Sequence, residues 1–368
     1  MKNIDSYSIE NLLKRASFFI NLAETAYEKA SPISAMFEFT PRCNFACKMC
    51  YVHLTGGEVE NFGRELTTAE WILIGEQARD MGVLNLGLTG GEPLLREDFE
   101  EIYTALAQMG FLITIQTNCS LMDDKMMSLF DRYPPHEIKI TLYGATDETY
   151  EKVCGVKGGL TRALEGIKKV QQAGIPLSAV ATATRDNSEE MEEMYRLADG
   201  LGIRLAHTNR LLPHTRKPSD GASRSMVRFS DLSEKEKEAV QKRREALKAA
   251  TADKPKRVFT SPLKRCKVYR TGFWVLWDGR LSLCAHLLNP TYSLLEMDLK
   301  TAWDKLIPEL ARLYPEEACA QCAMNDACSQ CPATIQTKQP FAYTPVCEAM
   351  TRDRRMLIDG GDTGLPCD

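Results

Sequence analysis

The chain has 368 residues, a formal net charge of −4 and 44% apolar residues, enough for two or more domains with sizeable cores. The mild acidity gives no general attraction to polyanions, so nucleic acid is not an expected partner. No N-terminal stretch reads as a secretory signal and no apolar run is long enough for a bilayer, so no membrane is expected. Thirteen cysteines then point to the cytoplasm, where thiols bind metals or do chemistry rather than act as disulfide staples.

Apolar spacing from Ser8 to Ala30 suits a helix within an N-terminal segment, residues 1–32. Behind it strands and helices alternate. Strands are expected at Ala35–Thr40, Leu84–Leu88, Phe111–Gln116, Glu137–Leu142, Leu177–Thr184 and Arg204–Thr208. The clearest helices are Thr68–Met81, Asp98–Met109, Asp123–Arg132, Leu160–Ala173 and Glu189–Gly200, with Gly82, Gly110 and Gly174 suited to helix C-caps. Six β-α units in a row predict an α/β fold with parallel strands and outer helices, a partial (β/α)6 TIM-like barrel over residues 33–230. Chemistry in such barrels sits at the C-terminal strand ends.

After about Pro213 the alternation stops. Ser233–Ala250, with Glu-Lys-Glu-Lys-Glu and then Lys242, Arg243 and Arg244, reads as a solvated helical linker over residues 231–262. Basic residues from Lys254 to Arg270 could hold an acidic peptide, and no aromatic platform for a single nucleic-acid strand accompanies them. Next, Phe273–Trp277 and Arg280–Cys284 flank the turn signal Asp278-Gly279. The tail Gly360–Asp368 reads as flexible.

Directly after the first strand comes Cys43-x-x-x-Cys47-x-x-Cys50. Three thiolates from one loop can converge on an iron–sulfur cluster, where four are usual, leaving one iron open. Zinc, or three ordinary buried thiols, are the alternatives. The loop resembles that of the radical S-adenosylmethionine (SAM) enzymes, in which the open iron chelates the SAM amino and carboxylate groups. Thr89-Gly90-Gly91-Glu92-Pro93, just beyond the second strand, matches the family's GGEP element. The resemblance assigns Gly90, Gly91 and Glu92 to the SAM amino group, Asn118 in Thr117-Asn118 to the ribose, and Thr141 to a hydroxyl facing SAM. Two positions depart from the pattern: Cys119 replaces a glycine, and Cys154 falls near the place of an arginine. Arg185 is the substitute cation expected for the SAM carboxylate.

The C-terminal third carries Cys266, Cys284, Cys319, Cys322, Cys328, Cys331 and Cys347. Their spacing resembles the SPASM extension of radical SAM proteins, here residues 263–368, with a zinc ribbon as the alternative. The resemblance implies two auxiliary 4Fe–4S clusters, hence three clusters in all. By motif position Cys319, Cys322, Cys328 and Cys347 hold the outer one, and Cys266, Cys284 and Cys331 the inner one. The inner cluster is then one thiolate short, open to a substrate thiolate, a water or His286. Cys119 and Cys154 read as packing and Cys367 as a free thiol.

In this family the SAM-binding cluster cleaves SAM to a 5′-deoxyadenosyl radical, and auxiliary clusters favour net oxidation. Anaerobic sulfatase maturases carry an aspartate directly after the cysteine equivalent to Cys284; here it is Ala285. A maturase of a ribosomally made peptide, forming a thioether at a substrate cysteine, is the expectation. Carbon–carbon crosslinking, or oxidation of a protein side chain or small-molecule alcohol, is the alternative. A precursor peptide and an electron donor such as flavodoxin or ferredoxin are the expected partners; with only some thirty residues before the barrel, any leader capture is expected at the barrel mouth, at the basic linker or on a separate leader-binding protein. Open clusters imply an anaerobic setting. A pure electron carrier would have no use for the GGEP element.

Overall fold

A computed structural model describes residues 6–208, 211, 214–227, 261–266 and 268–313, with isolated positions 238, 242 and 333. The charged linker, Cys319, Cys322, Cys328, Cys331, Cys347, Cys367 and the tail lie outside the described residues.

The six expected strands are present: β1 Ser34–Glu38, β2 Asn85–Thr89, β3 Leu112–Thr117, β4 Glu137–Leu142, β5 Leu177–Thr182 and β6 Arg204–Thr208. All pair in parallel, in the order β6-β5-β4-β3-β2-β1. Helix α1 Ser6–Lys29 precedes them, and α2 Gly56–Phe62, α3 Thr68–Asp80, α4 Phe99–Gln108, α5 Asp124–Arg132, α6 Asp147–Cys154, α7 Gly159–Gln172 and α8 Met191–Gly200 connect them. Gly82, Gly110 and Gly174 follow α3, α4 and α7 with φ of 92°, 87° and 70°, the left-handed geometry that closes a helix. The partial barrel read from the sequence is thus the observed architecture.

Strand alternation divides the labour. Phe37, Leu88, Ile115 and Ile140 face the helices, where Trp71, Phe99, Tyr103 and Phe130 are fully buried with them. Each such side chain is worth about 1.5–3 kcal/mol. The other face of the same strands is polar toward its C-terminal end: Glu38, Thr89, Gln116, Thr141, Thr182 and Thr208 alternate with the apolar set.

The chain then adds α9 Gly221–Ser225, β7 Gly272–Val275, β8 Arg280–Ser282, β9 Tyr292–Ser293 and α10 Leu299–Leu313. The expected hairpin is β7–β8, antiparallel about Gly279. Less expected, β7 pairs in parallel with β1, so one nine-stranded sheet runs from β6 through β1 to β9. Apolar β1 is covered on both edges, and the C-terminal elements grow directly from the barrel's first strand.

Candidate active site

A cavity of about 320 Å³ opens at the C-terminal ends of the barrel strands, lined by the polar strand residues Thr89, Gln116, Thr141, Thr182 and Thr208. Cys43, Cys47 and Cys50 line it from the loop after β1. The loop's entrance is fixed by Arg42, whose guanidinium bonds Glu65 through Nε and Nη2, each at 2.8 Å. Within it Phe45 N–H donates to Cys43 Sγ at 3.3 Å and His53 N–H to Cys50 Sγ at 3.4 Å. Such donors stabilise sulfur bearing negative charge.

The turn after β2 packs on the loop's backbone. Gly91 N–H donates to the Thr40 carbonyl at 2.7 Å and Glu92 N–H to that of Arg42 at 2.9 Å. A Cβ on Gly90 would stand 2.5 Å from Thr40 O, and one on Gly91 2.3 Å from Arg42 O. Both glycines are therefore required by the approach of two backbones, and both also line the cavity.

Glu92, which the resemblance assigns to the SAM amino group, is not among the lining residues. The side chain is fully buried and accepts from Thr117 Oγ1 (2.8 Å), Asn118 N–H (2.8 Å) and Leu94 N–H (3.2 Å). Burial pushes its carboxyl up to about 7 in spite of these bonds. Geometrically Glu92 is a staple between the ends of β2 and β3. Arg185 is likewise not among the lining residues, and its Nε donates to the Met226 carbonyl at 3.0 Å.

Asn118 and Thr141 do line the cavity. The Asn118 amide donates to Asn44 Oδ1 at 2.8 Å, with Cys43 Sγ at 3.9 Å, so it also orients the cysteine loop. Cys119 has φ 64°, the left-handed conformation that a glycine there would take without strain.

Behind the cavity lies a buried ion pair that no sequence motif announces. Glu38, fully buried at the end of β1, is paired with Arg216, whose Nε lies 3.0 Å from Glu38 Oε1. Arg216 Nη1 also donates to the Ala285 carbonyl at 3.2 Å, and Trp274 Nε1 to Glu38 at 3.2 Å. Thr215 N–H donates to the Tyr51 carbonyl at 3.0 Å. His286 lines the cavity with its ring 4.3 Å from that of Tyr51. A glutamate inside an apolar strand was the available signal for the pair. Cys284 and Cys266 are half-buried against the core, Cys284 in a bridge with Leu287.

Among the described residues no three His, Cys, Asp or Glu side chains already converge as a metal cage. The fit of an iron–sulfur cluster rests on donor chemistry: three thiols of one loop share one cavity. Burial pushes the thiols of Cys43 and Cys50 up, that of Cys50 to about 11. A cationic metal center is what would turn buried thiols into ligands.

The model of the Radical SAM superfamily matches residues 37–198. Residues 37–198 are a radical SAM domain. A PqqA peptide cyclase of Gluconobacter oxydans (strain 621H) is 31% identical over 180 residues, 48% of this chain and 49% of that protein. A protein of Saccharolobus islandicus (strain M.16.27) named "Probable GTP 3',8-cyclase" is 33% identical over 177 residues, 46% of this chain and 54% of that one. The chain thus spans about half the length of these curated relatives. In fold it resembles Streptococcus suis SuiB bound to S-adenosylmethionine, with TM-score 0.62 at 17% identity over 95% of this chain and 84% of that one. The radical SAM family implies SAM and one 4Fe–4S cluster, and Cys43, Cys47 and Cys50 are the residues of this domain suited to hold it. No helix among the described residues is long and apolar enough to cross a membrane.

Proposed function

We propose that the chain is a radical SAM enzyme that oxidatively modifies a ribosomally synthesised peptide, with a thioether at a substrate cysteine as the product. The observation that carries the reading is the convergence on one cavity of Cys43, Cys47 and Cys50 with the Gly90–Gly91 backbone. When bound, the cluster and SAM supply a 5′-deoxyadenosyl radical able to take a hydrogen atom from an unactivated carbon. The chain's own residues hold and shield. Cys43, Cys47 and Cys50 ligate the cluster, Gly90 and Gly91 offer backbone to the SAM amino group, and Asn118 and Thr141 face the nucleoside.

Support for a peptide comes from the PqqA peptide cyclases, whose name states a peptide substrate. The match to a GTP 3',8-cyclase covers a similar share of the chain, so the barrel alone does not choose between peptide and small molecule. The C-terminal cysteines favour the peptide. In our reading Cys319, Cys322, Cys328 and Cys347 hold one auxiliary cluster, while Cys266, Cys284 and Cys331 hold another that is open to a substrate thiolate. Ala285 has only a methyl group beside Cys284, which disfavours a sulfatase-maturase type of base there. A flavodoxin or ferredoxin would supply the electron and a separate protein would present the leader.

The test is co-expression with a short cysteine-containing precursor encoded beside the gene. The expected peptide is lighter by two hydrogens per linkage, and its linked cysteines resist alkylation after reduction. The same mass loss with every cysteine still alkylatable would replace the thioether by another oxidation. An unchanged peptide would refute peptide modification.

A further inference from the structure

The cysteine loop is held from two sides. On one, α6 gives it two of the carbonyls that a helix end leaves unpaired: Lys48 N–H donates to that of Val153 at 3.1 Å and Ala46 N–H to that of Cys154 at 2.8 Å. On the other, residues 214–225 run along the chain that leaves Cys50. Thr215 gives the Tyr51 carbonyl two donors, its N–H at 3.0 Å and its hydroxyl at 3.2 Å. His214 Nδ1 accepts from the N–H groups of Arg216 and Lys217, each at 3.1 Å. The ring hydrogen therefore sits on Nε2, which donates to the His53 carbonyl at 3.2 Å. Lys217 Nζ meets both carboxylate oxygens of Glu58, each at 2.7 Å. A Cβ on Gly221 would stand 2.0 Å from the Lys48 carbonyl oxygen, so the start of α9 rests on backbone between Cys47 and Cys50, and Ala222 packs with Phe45 and Met49.

We propose that His214 and Thr215 are positioning residues that clasp the chain after Cys50, pre-organising that cysteine as a ligand and slowing the loss of iron from the cluster. The inference rests on the reading of Cys43, Cys47 and Cys50 as the cluster's ligands. Tyr51 is the neighbour of Cys50 in the chain, and His53 N–H donates to Cys50 Sγ at 3.4 Å. Holding the Tyr51 and His53 carbonyls therefore fixes the residues that orient that sulfur. A cluster on three thiolates instead of four has no spare attachment, so a ligand that swings away starts its loss. A ligand already fixed before binding gives up little conformational freedom when it binds. A strap that only supports the fold is the competing account. It predicts easier unfolding and unchanged iron release from the folded protein.

The experiment is anaerobic removal of iron by a ferrous chelator from the reconstituted, reduced full-length chain, well below its unfolding temperature. Decay is followed by electron paramagnetic resonance on the signal that changes on adding SAM, which separates this cluster from any auxiliary one. Thr215→Val removes the hydroxyl at similar volume, and Arg216 Nη1, which donates to it at 2.6 Å, keeps the Ala285 carbonyl. His214→Phe keeps a flat ring without its nitrogens. Each variant should lose the signal about threefold to tenfold faster than wild type, the range that one net hydrogen bond supports. The rate of global unfolding, followed by circular dichroism, should show no matching rise. Thr215→Ser, which keeps the hydroxyl, should decay as wild type does. Wild-type decay in both Thr215→Val and His214→Phe would overturn the proposal, as would a serine variant as fast as valine, or faster decay matched by equally faster unfolding. A wild-type protein that carries its iron and shows no SAM-responsive signal would refute the ligand reading itself, and the proposal with it.

Discussion

At Glu92 the carboxylate that the motif offers to SAM is spent on Thr117, Asn118 and Leu94. Removing it strands buried donors, so Glu92→Ala should cost about 1–3 kcal/mol in urea unfolding at pH 5. Its carboxyl stands at about 7 in the fold, above the ordinary glutamate value of about 4.3. A raised carboxyl contributes stability that is fully present below the unfolded value and lost as pH rises through the folded one. The stability gap between wild type and Glu92→Ala should therefore narrow between pH 4.5 and 7. A gap that widens with pH would mean that the charged form is the useful one, as an ammonium partner requires.

The residue scale also marks what could be read in advance. Cysteine spacing and the Gly90-Gly91 pair were legible because few structures need those residue types so placed. The direction of the Glu92 side chain was not, because it depends on where β3 ends relative to β2. Thr89, Gln116, Thr182 and Thr208 line the cavity through strand alternation, and only Thr141 was singled out. Arg185 and Arg216 look alike in sequence, and long-range packing alone puts Arg216 against Glu38.

At the scale of elements, the long periodic segments of the barrel were recovered within a few residues and the fifteen-residue α10 was missed, whereas within the barrel α2 and α6 were not foreseen. Both are short, seven and eight residues, and depend on caps and docking more than on apolar periodicity. Thr146 caps α6 by accepting from Thr149 N–H at 3.2 Å, and the cysteine loop takes its last carbonyls. Contact between α7 and the turn after β3 is equally specific. A Cβ on Gly166 would stand 2.0 Å from the Cys119 carbonyl oxygen, a backbone atom that cannot swing away. Gly166→Ala should destabilise by about 1–3 kcal/mol. At Gly200, the last residue of α8, a Cβ meets nothing within 4 Å, and Gly200→Ala should stabilise by about 0.4–1 kcal/mol. Thermal unfolding of the two variants beside wild type checks both signs, and equal shifts would contradict the close-approach account.

Across the whole molecule, β1 is the element on which everything meets. Its edges pair with β2 and β7, its end carries Glu38, and the cysteine loop leaves from it. Through Glu38 the Arg216 guanidinium joins the segment after β6 to Trp274 on β7 and to the Ala285 carbonyl. A buried pair of this kind is a better source of fixed geometry than of net stability. The cavity is thus shared by barrel and C-terminal elements, with His286 facing the same space as Cys43, Cys47 and Cys50. That these three cysteines hold a SAM-cleaving cluster is the central claim. Its most direct test is the release of 5′-deoxyadenosine from SAM by the anaerobically reconstituted, chemically reduced full-length protein. Wild type should release it, and the variant with Cys43, Cys47 and Cys50 all changed to alanine should release none while losing the corresponding iron. Release by the triple variant at the wild-type rate, or none from a wild-type protein carrying its full iron complement, would contradict the account.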